Sequence, residues 1–229
     1  DPRLYRRVRA VAERRDELDL NAEQAKLLEE THKRFVRSGA ALAPEAQDRL
    51  REINAELASL SQQFGENLLE ETNAFGLHVT DEADLGDLPA SLKAAAAAEA
   101  RRRGHDHGWV ITLQRPSCDP FLEYSPNRDL RRHVFEGYTR RGNDGGEHDN
   151  NALLTRMAEL RAERAALMGH PTHAHYVLDD AMAETPRRVR ALLDQVWQPA
   201  LRVAAQERDA LEAMMRADGR PRSSTPDAS

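Results

Sequence analysis

The sequence predicts a mainly α protein, a multi-helix array carrying one small two-stranded β element. Three observations point there. Apolar residues recur at three-and-four spacing through most of the chain, the pattern of helices with one buried face. Strict alternation, the sign of a half-buried strand, is confined to 75–80 and 109–114. Charged residues make up 31% and hydrophobic ones 40%, with a mean hydropathy of −0.73, which suits exposed helices around a moderate core. At 229 residues there is ample chain for that core.

The first helix is expected over Arg3 to Leu18, with Leu4, Val8, Val11 and Leu18 on its apolar side. Asn21 caps a second, where Ala25, Leu28, His32 and Phe35 share a face and Ser38-Gly39 end it. Pro44 suits the first turn of a long third helix, in which Leu50, Ile53, Leu57, Leu60, Phe64 and Leu68 form a packing seam. The plain reading of that seam is packing within the chain; homodimerisation is its rival. Phe75 to Thr80 and Trp109 to Gln114 read as paired strands. Between them, Leu88 to Arg103 has a first-turn Pro89, a poly-Ala body, terminal arginines and Gly104 beyond, all marks of a helix. Pro116, Pro120 and Pro126 punctuate the connection that follows.

Two amphipathic helices come next. Asn127 to Arg140 places Leu130, Val134, Phe135 and Tyr138 on one side; Asn143-Asp144-Gly145-Gly146 stops it. Asp149 or Asn150 caps the second, whose apolar positions are Leu153, Leu154, Met157, Leu160, Leu167 and Met168, and Gly169 with Pro171 ends it. A short helix over Thr172 to Met182 precedes a last one that opens at Thr185-Pro186 and runs toward Met215. Its apolar positions include Val189, Leu192, Leu193, Val196, Leu201, Leu211 and Met214, and Pro199 should kink it. From Asp218 the chain turns polar and Pro-containing and should be disordered.

The two central helices resemble the thimet-oligopeptidase, oligopeptidase A and peptidyl-dipeptidase family of zinc metallopeptidases. The resemblance rests on Asn127-Arg128-Asp129-Leu130-Arg131, Tyr138 to Gly142, Asp149-Asn150 with Ala152-Leu153, and Leu160 to Leu167 with Gly169. It continues in Leu113-Gln114-Arg115-Pro116, Tyr176-Val177-Leu178 and Met182-Ala183, and spans about residues 3 to 215. The resemblance implies a two-lobed fold with a deep channel in which zinc-dependent hydrolysis of short peptides takes place. A zinc peptidase of this type needs His-Glu-x-x-His on a helix, two imidazoles one turn apart and a Glu that activates water. None of the nine histidines, at 32, 78, 105, 107, 133, 148, 170, 173 and 175, is followed by Glu, and no two are four apart.

Residues 1–216 are therefore expected to be a helical, non-catalytic half of an oligopeptidase that supplies a channel wall and is inactive alone, with 217–229 a disordered tail. Short peptides are the expected ligands of the complete enzyme, and a separate catalytic half is an expected partner. The alternative is a stand-alone helical module that binds peptides or a partner without cutting. The Asp1 start and the ending past the reach of the resemblance read as a chain lacking its true beginning and cut short by truncation or frameshift.

Other classes are disfavoured. A net charge of −6 and a pI near 5.9 argue against a general nucleic-acid or anionic-membrane surface. No apolar run approaches the roughly 20 residues that span a bilayer, and no signal-peptide pattern opens the chain. Cys118 stands alone, so no intrachain disulfide can form and a reducing, cytoplasmic setting fits best.

No residue is assigned as catalytic or metal-binding, substrate contacts are not assigned, and zinc is expected only in a complete family member. His170, His173 and His175, and His105 with His107, are loose groupings read as surface or capping residues before metal ligands. His133 reads as solvated or paired. Cys118 reads as buried and inert rather than nucleophilic. The arginines at 101–103, 131–132, 140–141 and 187–188 read as helix-terminal or screened charges rather than a phosphate face. Arg161 and Arg164, with Glu159 and Glu163 adjacent, are expected in a buried ion-pair network. Asp149 and Asn150 read as caps first and substrate contacts a distant second.

Overall fold

The computed structural model describes residues 1–219. Among them are nine α-helices, eight of them where the hydrophobic periodicity predicts one, and one antiparallel strand pair. The chain divides into two compact units, Asp1–Arg164 and a second that begins at Ala165.

The first unit opens with α1 (Pro2–Glu13) and α2 (Ala22–Arg37), a helical hairpin. Tyr5 seats it, its ring 6.2 Å from His32 and 5.8 Å from Phe35. Tyr5 is buried while Leu4, Val11 and Leu18 are exposed, so the buried stripe runs one position away from the expected one. The expected first helix stops at Glu13, and Arg15–Glu17 is a separate 3₁₀ turn. Asn21 builds a full capping box with Gln24 at the start of α2.

The long α3 (Pro44–Ala74) buries Leu50, Ile53 and Leu57 of the predicted seam. Strands β1 (Leu77–Val79) and β2 (Trp109–Ile111) pair Leu77 with Ile111, His78 with Val110 and Val79 with Trp109. Both are shorter than the alternating runs that announce them. Around this pair lies the core: Val79, Leu85, Leu88, Ala96, Ile111, Leu113, Cys118, Phe121 and Val134. Helix α4 (Ala90–Arg102) covers β2, and α6 (Arg128–Thr139) contributes Val134.

One element differs in kind from expectation. The proline-marked connection is a helix, α5 (Arg115–Tyr124), with Pro116 in its first turn and Pro120 inside. Pro116 costs nothing where no intrahelical partner exists, and Phe121, fully buried, holds the rest of the segment against the core. Two predicted core positions are also wrong: Phe135 on α6 and Leu154 on α7 (Asn151–Leu167) face solvent, at 55% and 48% exposure.

The second unit contains α8 (His173–Leu178), shorter than expected, and α9 (Pro186–Ala217), with Thr185 as N-cap. Helix α9 carries Pro199 inside it and continues on both sides. It reaches Ala217, one residue past the expected boundary; the predicted disordered tail beyond Gly219 lies outside the described residues.

Candidate functional site: the bracketed turn and its two grooves

The motif residues converge on the turn between α6 and α7, where the sequence is richest in Asn, Asp and Gly. Gly142 sits at φ +70, a left-handed angle that L side chains avoid, and it lets the chain double back. Its N–H donates to the Glu71 carboxylate on α3, and its carbonyl accepts from Asn150 N–H at 2.8 Å. Asp149 accepts from the Asn151 and Gly145 N–H groups at 2.8 and 2.9 Å, which caps α7 and holds its carboxyl below the usual range.

Asn150 is not merely a cap. It is 1% exposed, accepts from Asn67 Nδ2 at 3.0 Å and donates to the Phe64 carbonyl at 3.2 Å. Arg141 adds a further tie: its guanidinium lies 4.0 Å over the Tyr138 ring and donates to Thr72 Oγ1 at 2.9 Å. The Tyr-Thr-Arg-Arg-Gly run therefore fastens the end of α6 to α3.

Charge pairs extend the same contact along α3 and α7, which run antiparallel. Arg49 grips Glu163 with two bonds of 2.6 and 2.8 Å, and Arg156 grips Glu56 with two of 2.6 and 3.0 Å. These hydrogen bonds depress the Glu56 and Glu163 carboxyls. The expected buried network of Arg161 and Arg164 is corrected here. Arg161 is exposed, Arg164 bonds Asn54 at 3.1 Å, and the bridging arginines are Arg49 and Arg156, partly open to water. Asn67, Glu71, Arg49 and Glu56 escaped the sequence reading because their partners lie 71 to 114 residues away.

Two grooves flank this bracket. One, about 560 Å³, is lined by Phe75, Leu113, His133, Glu136, Arg140 and His148 among others. His133 rests against Phe75, ring centres 5.4 Å apart. The other, about 690 Å³, lies between α4 and β2 and is lined by Leu88, Leu92, Val110, Thr112 and Gln114. At its margin Arg102 holds Glu99 with bonds of 2.6 and 2.7 Å, and Arg103 adds one of 2.7 Å. Hydrogen bonding from Arg102, aided by Arg103, pulls the Glu99 carboxyl down to about 2. Arg103 also donates to the Asn73 and Ala74 carbonyls at 3.0 and 3.4 Å, satisfying the end of α3.

The histidines do not converge on a metal. His105 stacks on His78 at 3.9 Å with planes 17° apart, so their in-plane lone pairs run side by side. His107 offers His78 its backbone carbonyl at 2.8 Å. His175 Nδ1 meets Thr172 Oγ1 at 2.8 Å, while His170 and His173 contact the Tyr176 ring. Among the described residues no three His, Cys, Asp or Glu are grouped to hold a metal ion. The zinc that the resemblance implies does not fit these residues. Cys118 is 1% exposed, and burial pushes its thiol up, away from nucleophilic use. Among the described residues no helix is long and apolar enough to cross a membrane.

Comparison with known proteins fits the motif residues. Residues 121–225 match the model of Peptidase family M3. The dipeptidyl carboxypeptidase of Escherichia coli (strain K12) is 34% identical over 212 residues, 93% of this chain and 31% of that protein. Oligopeptidase A of the same organism is 32% identical over 219 residues, covering 94% of this chain and 32% of the relative. A probable cytosolic oligopeptidase A of Arabidopsis thaliana is 32% identical over 208 residues, 86% and 29% respectively. The chain thus spans about a third of the length of the relatives it matches.

Proposed function

This chain is homologous to the M3 peptidases, and on that premise we propose that it forms a helical, non-catalytic part of a zinc-dependent oligopeptidase or peptidyl-dipeptidase acting on short peptides. In this reading it supplies a wall of the channel that admits short, unfolded chains, and it does not hydrolyse peptides by itself. One observation carries the proposal: similarity covers more than nine-tenths of the chain, yet His-Glu-x-x-His occurs nowhere in its 229 residues. A metal-activated water has no holder here, so the chemistry belongs to sequence that the longer relatives possess.

What these residues do is set shape. The Asn150 bracket and the two bidentate arginine pairs tie α3 to α7 at three places along the two helices. A wall that selects by size must resist the chain it excludes, and rigidly packed helices do this better than loops. A cytosolic setting goes with the proposal, since one relative is named as cytosolic and the single cysteine is buried and unpaired.

The test is a chimera. Residues 1–217 replace the aligned segment of Escherichia coli oligopeptidase A, and cleavage of short peptides is measured with and without chelator. Chelator-sensitive turnover of short peptides, with folded proteins left intact, is the expected result. A folded, zinc-loaded chimera that also degrades folded or long substrates would contradict the role in size selection.

A further inference from the structure

Helix α9 is 32 residues long, about 48 Å of helix, and holds eight large apolar side chains in solvent. At about 100° per residue, seven of them, Leu192, Leu193, Val196, Trp197, Val203, Leu211 and Met214, fall within an arc of about 140°. Each is 51–66% exposed. Leu201 lies outside the arc, among the charges. Glu207 stands near the middle of the arc and is the only charged residue in it; every other Arg, Asp and Glu of the helix lies outside. The seven side chains leave on the order of 700 Å² of apolar surface open, more than a monomer ordinarily exposes in one patch. A helix gains too little from its own hydrogen bonds to hold such a face in water, so the face needs cover.

Two features of the arc identify the cover. Its width exceeds the narrow seam along which two helices pair, and fits a helix laid into a groove between several elements of a larger core. Its one charge needs a partner once water is excluded. One turn from Glu207 on either side stand Val203, Ala204, Ala210 and Leu211, so α9 offers it no cation. A second copy presents the same arc, whose one charge is another Glu207. The cover must therefore be different sequence. The M3 relatives possess such sequence: the family match at 121–225 contains the whole of α9, yet roughly two-thirds of each Escherichia coli relative lies outside the segment aligned with this chain.

We propose that the apolar arc of α9 is the docking face for the M3 peptidase sequence outside the third that this chain represents. The docked surface is apolar and sets a cation or a hydrogen-bond donor opposite Glu207. The side of α9 that carries Arg187, Asp194, Gln198 and Arg216 stays in water, and Leu201 stays with it. The inference rests on the reading of this chain as part of a longer peptidase, and it needs no role in size selection.

Cysteine labelling tests it, since the chain's own thiol, Cys118, is buried. Leu192→Cys and Val203→Cys lie in the arc, and Gln198→Cys lies on the opposite side of the helix. Each is made in the full chain and in the chimera that places residues 1–217 in Escherichia coli oligopeptidase A, and maleimide uptake is read on the α9 peptide by mass spectrometry. All three are expected to react at similar rates in the chain alone. In the chimera the two arc cysteines should slow by about tenfold or more, while Gln198→Cys stays reactive. Arc cysteines that react as fast in the chimera as in the chain alone, protection of Gln198→Cys to the same degree, or a chimera that does not fold overturns the docking. So does protection already present in the chain alone, which assigns the cover to this chain if it is independent of concentration and to a second copy if it rises with concentration. A chimera that protects the arc but degrades long substrates contradicts size selection and leaves the docking standing.

Discussion

Asn67 and Asn150 meet amide to amide, 3.0 Å apart across 83 residues of sequence, and close the buried end of the contact between α3 and α7. Asn150→Leu removes the acceptor for Asn67 and the side-chain donor that the Phe64 carbonyl has beside its own helix bond, in a site 1% exposed. Such a change should cost about 2–3 kcal/mol in urea unfolding. Asn151→Ala, one residue on but exposed, should cost well under half of that.

Two glycines should answer alanine with opposite signs. Gly142 has φ +70, and a Cβ there would lie 2.8 Å from Asn150 Nδ2, so Gly142→Ala should destabilise by about 1–3 kcal/mol. Gly65 lies within α3 with nothing beyond its own helix backbone within 4 Å of an added Cβ, so Gly65→Ala should stabilise by about 0.5–1 kcal/mol. Paired thermal melts check both.

The bidentate pairs Arg49–Glu163 and Arg156–Glu56 are partly open to solvent, their side chains 38–43% exposed. Water and salt screen them, so they set the register of α3 on α7 more than its strength. A double-mutant cycle on Arg156 and Glu56 should show a small coupling at low salt that vanishes in molar salt. Coupling that persists in high salt would show that the pair is shielded from water.

Hydrogen bonds from Arg102, aided by Arg103, hold the folded Glu99 carboxyl down to about 2, below the ordinary 4.5 of a glutamate. Because the folded carboxyl binds its proton less readily, its contribution is fully present above pH 4.5 and is lost as pH falls toward 2. Glu99→Gln should therefore flatten the dependence of stability on pH within that window while leaving it unchanged in slope near neutrality. Chemical unfolding at several acidic pH values reads this directly.

Much of the fold is legible locally. Asn21, Asn127 and Thr185 are read as caps or helix starts, and all three side chains accept from the first turn of their helices. The alternating runs at 75–80 and 109–114 give the strand pair. Helix α5 is hidden because its prolines mimic a loop, and only the burial of Phe121 and Cys118 reveals that the segment packs as a helix. Phe135 and Leu154 look like core because a helical wheel cannot tell which flank of a broad apolar arc meets a neighbour. The bracket is the least legible part. Asn150 reads as an ordinary cap until Asn67 and Phe64, distant in sequence, are brought beside it.

Hydrolysis of a short fluorogenic peptide by the purified chain, supplied with zinc, is the most direct measurement of the claim that these residues shape a peptidase without performing its chemistry. No turnover above the buffer blank is expected at any zinc concentration. Chelator-sensitive turnover that scales with the amount of this chain and follows it through purification would contradict it.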